Sequence, residues 1–172
     1  MARKNHPPDY SIKAEEMFVG LHISYFQAGD LVEWARTTAH LDRYANDWEV
    51  AELLSYDVQN LNPTEDPVSK FYSVFGKYWS PFPIPSAAAE LIAIKLLAYR
   101  LENYISGDCR PYDICKMVAQ IEPIFDYPEW LGDLYNGCDW VEPETNSKSC
   151  AYLAEVAKNV IPTLNSRLRP VD

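Results

Sequence analysis

Residues 86–107, SAAAELIAIKLLAYRLENYISG, decide the fold class. Leu91, Ile94, Ala98, Leu101 and Ile105 recur at three- and four-residue spacing as one apolar stripe, and Ile92, Leu96 and Tyr99 form a second. A helix apolar on two sides needs neighbours on both, so this segment is expected to be the central buried helix. The helix is expected to run from Ser86 to Gly107. Lys95 and Arg100 interrupt the longest apolar run, Leu91 to Leu101, which is too short to span a bilayer.

Upstream of this helix lies SPFPIPS, residues 80–86, where alternating prolines remove backbone donors and push their neighbours toward extended forms. A rigid Pro-rich connector is expected there. Earlier segments again read as helix. Asp9 is placed to cap a first helix carrying Ala14, Phe18, Leu21 and Tyr25 on one face, with Gly29 as its stop. Asp30 and Glu33 have the spacing of a capping box, followed by an apolar stripe of Leu31, Trp34, Ala35, Thr38 and Leu41. Asn46 and Glu49 repeat that spacing ahead of Val50, Leu53, Leu54 and Val58, and Asp66 with Pro67 opens a helix bearing Val68, Phe71, Tyr72 and Phe75.

Downstream, Pro111 suits the first turn of a helix with Ile114, Cys115, Val118 and Ile121 inward. Asp126 and Glu129 then supply a cap for a helix whose inward stripe is Trp130, Leu134, Cys138 and Val141, with Glu129, Asp133, Asn136 and Trp140 opposite. A last helix, roughly residues 147–168, buries Cys150, Leu153, Ala157, Ile161 and Leu164, with Pro162 expected to kink or shorten it. No stretch alternates convincingly as strand. The expected fold is all-α, a single helical domain spanning residues 1–172 with about seven to eight helices. Echoes between YFQAGD and YISGD, and between DWEVAELL and EWLGDLY, suggest pseudo-duplicated halves at 9–79 and 86–168.

A chain of 172 residues, 48% apolar, can bury one cooperative core without metal or disulfide. The four cysteines lack CxxC spacing and the amino terminus has no apolar run behind its basic residues, so reduced thiols in a cytosolic protein are expected. His6, His22 and His40 have no metal-binding spacing, and no nucleophile elbow, phosphate loop or dinucleotide fingerprint occurs, so neither cofactor nor metal is expected.

The formal net charge of −10 argues against binding nucleic acid through phosphates. Its distribution is uneven. Between Arg43 and Lys70 lie six acids and no base, and between Lys116 and Lys148 seven acids and no base, whereas the remainder holds 15 basic and 12 acidic residues. The plainest reading is a solvated face that keeps the protein soluble. Against it, concentrated charge of one sign repels itself, and it is what electrostatic steering of a basic partner needs, with exposed rings as anchors. The candidate partner-binding residues are Asp126, Glu129, Asp133, Asn136, Asp139, Trp140, Glu142 and Glu144 in the second window, and Asp47, Glu49, Glu52 and Asp57 in the first. Trp140 is the best candidate for an exposed ring, and Trp130 is expected in the core.

The helix ending YISGD, followed by the helix PYDICKMV, in a small acidic all-helical chain resembles bacterial toxin immunity proteins. That resemblance implies a non-catalytic protein that binds a basic, nuclease-like toxin domain and occludes its active site or substrate cleft. The alternatives are a small helical enzyme or regulatory domain using buried carboxylates, and a scaffold or chaperone that takes an amphipathic helix.

Overall fold

The computed structural model describes residues 12–37, 41–44, 46–57, 65–145 and 150–169. Among them the fold is all-α, with eight α-helices, two short 3-10 turns and no strand. The chain divides into two compact units: the described residues of Met1–Leu21 with Phe26–Pro83, and those of His22–Tyr25 with Ile84–Asp172. The division falls inside the proline-rich stretch, which is not helical between residues 79 and 86.

The first unit holds most of α1 (Ala14–His22), then α2 (Ala28–Thr37), a 3-10 turn (Leu41–Tyr44), α3 (Trp48–Ser55) and α4 (Pro67–Tyr78). Its core is aromatic. Phe71 and Phe75 of α4 are buried, with Phe18 stacked on Phe75 at 4.3 Å and Trp34 edge-on to Phe71 at 5.6 Å. The buried Trp34 indole satisfies its N–H on the Ile12 carbonyl at 2.8 Å. Arg36 of α2 donates to the carbonyls of Leu54 and Tyr56, which α3 leaves open at its end.

Asp66 and Pro67 start α4 as expected, the Asp66 side chain accepting from Ser69 N at 3.0 Å. Three other boundaries differ. Gly29 is not a stop: α1 ends at His22, the left-handed residue is Ser24 (φ 57°), and Gly29 lies inside α2, with Tyr25 beyond α1. Asp30 sits one turn inside α2 rather than at its cap, its Oδ2 accepting from Gln27 N at 2.8 Å. Asp47, not Asn46, caps α3, through a bond from Glu49 N at 2.9 Å. In the two N-terminal cases an aspartate still accepts a backbone N–H at the helix start, so the chemistry holds while the register moves. Asp9, Thr38 and Val58 lie outside the described residues.

The second unit comprises α5 (Ala87–Ser106), α6 (Pro111–Ile124), a 3-10 turn (Glu129–Leu131), α7 (Leu134–Cys138) and α8 (Ala151–Arg167), together with residues 22–25. Ser86 caps α5 by accepting from Ala89 N at 3.2 Å, and Gly107 ends it at φ 89°. Ala89, Ala93, Leu97 and Leu101, spaced by four, are fully sealed and form the ridge on which α5 packs. The expected stripe is therefore rotated, and its ends, Leu91 and Ile105, are exposed. Helix α8 makes the most extensive contact with α5, and the Tyr104 hydroxyl donates to the Cys150 carbonyl, so the two run antiparallel. Arg100 holds residues 22–25 to this unit by donating to the Tyr25 carbonyl at 2.6 Å and lying over its ring at 4.2 Å. Within α8, Pro162 does not end the helix, and Val156 and Val160 are buried where Ile161 was expected.

The helix expected from Asp126 is two pieces. Asp126 (φ 55°) and Tyr127 (φ 52°) are left-handed and cannot cap, and Gly132 (φ 52°, ψ −133°) breaks the chain between the 3-10 turn and α7. The cysteines also differ from expectation. Cys115 of α6 and Cys138 of α7 form a disulfide, with Cα atoms 5.3 Å apart, because α6 and α7 pack together and bring a separation of 23 residues within bridging reach. Cys109 and Cys150 remain thiols. No helix among the described residues is long and apolar enough to cross a membrane.

Leu101→Ala should cost about 2–5 kcal/mol because its ridge position is sealed on every side, whereas Leu91→Ala, half exposed on the same helix, should cost about 1 kcal/mol or less. Urea unfolding of the two variants measures the difference, and equal losses would contradict the rotated stripe.

Candidate functional site

The two acidic windows have different fates. In the first, α3 lays its carboxylates onto α4. Lys77 pairs with Asp47 at 3.2 Å and with Glu49, Lys70 pairs with Glu52 at 2.8 Å, and the hydroxyls of Tyr78 and Ser73 donate to Asp47 and Glu49, each at 2.8 Å. Hydrogen bonds from Tyr78, Lys77 and Lys70 hold Asp47, Glu49 and Glu52, respectively, below the usual carboxylate range. Tyr56 is buried and bonds Glu52 at 3.1 Å. Trp48 is exposed, yet the Lys70 ammonium lies over its ring at 4.2 Å. These acids are neutralised within the chain; Asp57, two residues past the end of α3, is exposed.

The second window is built differently. Trp130, Leu131 and Leu134 are buried, and the Trp130 indole donates to Glu90 of α5 at 2.6 Å, which anchors the segment to the second unit. Gly137 packs against Leu153 of α8. From that buried base Asp126, Glu129, Asp133, Asn136, Asp139, Glu142 and Glu144 all point to solvent. None of these six carboxylates takes a lysine, arginine or histidine partner among the described residues. Trp140 is 88% exposed and Tyr127 66% exposed, so two rings stand in water within the acidic segment.

On α6, burial and then the neighbouring Asp139 carboxylate push Glu122 upward, a sign that two acids crowd one another. The hydroxyl of Tyr135 is buried without a partner, and burial, followed by the nearness of Glu122 and Tyr127, raises it as well. The other raised carboxyl, Glu16, answers to burial against its helix start, where it accepts from Lys13 N at 3.1 Å. No group of three histidine, cysteine or acidic side chains is placed to hold a metal ion among the described residues.

All eight second-window candidates, Trp140 included, therefore lie exposed in one segment of 19 residues, while Asp47, Glu49 and Glu52 serve the α3–α4 contact. Sequence reasoning passed over Lys70 and Lys77 as partners, although their seven-residue spacing puts them on one face of α4. It also left Tyr127 off the list of candidates, because nothing in the sequence marks its left-handed backbone. Comparison with known protein families, with curated proteins and with solved structures found no match.

The lowered acids of α3 set a pH dependence. A carboxyl depressed in the folded state contributes stability above its unfolded pKa, near 3.8 for Asp and 4.5 for Glu, and loses it as pH falls through the lower folded value. Lys77→Ala should thus be less stable than the parent at neutral pH, with the gap closing as the pH falls below those values. Thermal melts across that range measure the gap; a pH-independent difference would show that Lys77 acts through packing alone.

Proposed function

We propose that this protein is a non-catalytic binding protein whose acidic segment from Asp126 to Glu144 docks a basic protein partner. The partner of choice is a nuclease-like toxin domain whose active site or substrate cleft the segment covers, as an immunity protein would, within the cytoplasm of the producing cell. One observation supports the reading: Trp140 stands almost fully in water among carboxylates that no cation of the described residues neutralises.

Leaving such a ring uncovered forgoes roughly 5 kcal/mol of burial, taking about 200 Å² for an indole and about 25 cal/mol per Å². A partner that covers it recovers part of that energy at a single point, in the manner of an interface hot spot. The surrounding negative field acts at longer range. It raises the rate of encounter with a cationic surface and disfavours acidic partners, and both effects weaken with salt. A nuclease cleft is cationic because it must hold phosphates, so the same surface complements it.

The test is titration calorimetry against the purified product of the adjacent gene. Trp140→Ala should weaken binding by about thirtyfold or more, as hot-spot truncations do. The triple variant Asp133→Lys, Asp139→Lys, Glu142→Lys should weaken it further and flatten its dependence on salt. Unaltered affinity and salt dependence in both variants would overturn the reading.

A further inference from the structure

The Cys115–Cys138 bond occupies a particular place in the acidic segment. Upstream of it the segment is held by buried side chains, Trp130, Leu131, Leu134 and Gly137. Downstream, none of residues 138–145 is buried. Among the described residues the hydrogen bonds of that stretch are its own: Val141 N to Cys138 O at 3.1 Å, Thr145 N to Glu142 O at 3.0 Å, and Glu142 N to the Thr145 hydroxyl at 2.9 Å. The next buried residue among those described is Cys150. Among the described residues the disulfide is thus the covalent tie between Cys138, where the Trp140-bearing stretch begins, and α6, added to the packing of α7 on α6, and it lies two residues from that ring. Electrostatics works against the tie. Burial, and after it the Asp139 carboxylate adjacent to Cys138, push Glu122 of α6 upward, and removing the bond lets the two acids separate.

From this placement we infer that the Cys115–Cys138 disulfide is a redox latch: oxidised, it holds residues 139–145 against α6 in the arrangement that docks the partner, and reduced, it releases them. The inference rests on the docking reading above. Both cysteines are half-buried, so a dithiol reductant has access to the bond. One thiolate of the reductant attacks a cystine sulfur and displaces the other as thiolate, giving a mixed disulfide; its second thiol then closes the reductant's own disulfide. Two electrons pass to the protein, Cys115 and Cys138 each end as thiols with a proton, and the dithiol ends oxidised. Reduction leaves every charge of the docking segment in place and removes only its order, so it acts on the ordering cost of binding.

The experiment compares oxidised protein, protein treated with a dithiol, and the double variant Cys115→Ser, Cys138→Ser. Chymotryptic cleavage after Trp140 reads the latch without any partner. It should be about tenfold faster in the reduced protein than in the oxidised, equally fast in the double variant with or without dithiol, and accompanied by unchanged helical circular dichroism. Binding of a fluorescent oligo-arginine peptide reads the consequence, with affinity for the reduced protein expected to fall by about tenfold. Equal cleavage rates before and after reduction overturn the latch, as does loss of helical signal, which would make the bond a general staple. Equal peptide affinity in both states also overturns it while leaving the docking reading intact, and failure of both states to bind the peptide overturns both.

Discussion

The second unit depends on the sealing of α5. Its sealed ridge, Ala89, Ala93, Leu97 and Leu101, runs from small to large side chains, which lets a neighbouring helix come close at one end while leucines fill the space at the other. Polar side chains along the same helix then make one long-range bond each: Glu90 to the Trp130 indole, Arg100 to the Tyr25 carbonyl, and Tyr104 to the Cys150 carbonyl. Each of these partners belongs to a segment of irregular or terminal backbone. Helix α5 thereby fixes the places where the chain is not helical, including the base of the acidic segment, and a change in its rotation would move Glu90 and with it the anchor of Trp130.

The two acidic windows read alike in sequence, and geometry separates them. Helix α3 lies on α4, whose Lys70 and Lys77 fall on one face and meet Asp47, Glu49 and Glu52. Acids and lysines distant along the chain are here adjacent in space, and that window resolves into a partly exposed ion-pair network of modest energetic weight. The segment from Asp126 to Glu144 packs on α6 and α8 without receiving a cation from any described residue. Counting charges along the chain cannot distinguish the two cases, because the neutralising residues come from another helix.

How far the sequence was legible follows the range of the determining interactions. Helices α4 and α5 start at Asp66 and Ser86, and α5 ends at Gly107, because those signals operate over three or four residues. Register shifted by one to three residues where several capping side chains competed, as among Asn46 and Asp47, or Gln27 and Asp30. The break at Gly132 and the left-handed pair at Asp126 and Tyr127 stayed hidden, since a capping pattern and an apolar stripe describe a helix equally well whether or not a glycine interrupts it. The pairing of Cys115 with Cys138 depends on α6 meeting α7, which no local pattern encodes. The exposure of Trp140 was legible, because it shares the polar side of its segment with Asp133 and Asn136.

Three indoles of similar sequence context separate packing from display. Trp130 is buried and satisfies its N–H on Glu90, so its aromatic area stabilises the fold. Trp48 is exposed but holds a lysine over its face, so part of its surface serves an intrachain contact. Among the described residues Trp140 shows neither arrangement, and the residues on either side of it are an acid and a half-buried valine. Solubility gives no reason for a tryptophan there, since a serine among the same carboxylates would be better hydrated, and stability gives none, since the ring covers almost nothing. What the indole adds at that position is a flat, rigid surface in a negative field, and such a surface gains free energy only when something cationic and partly apolar is laid against it.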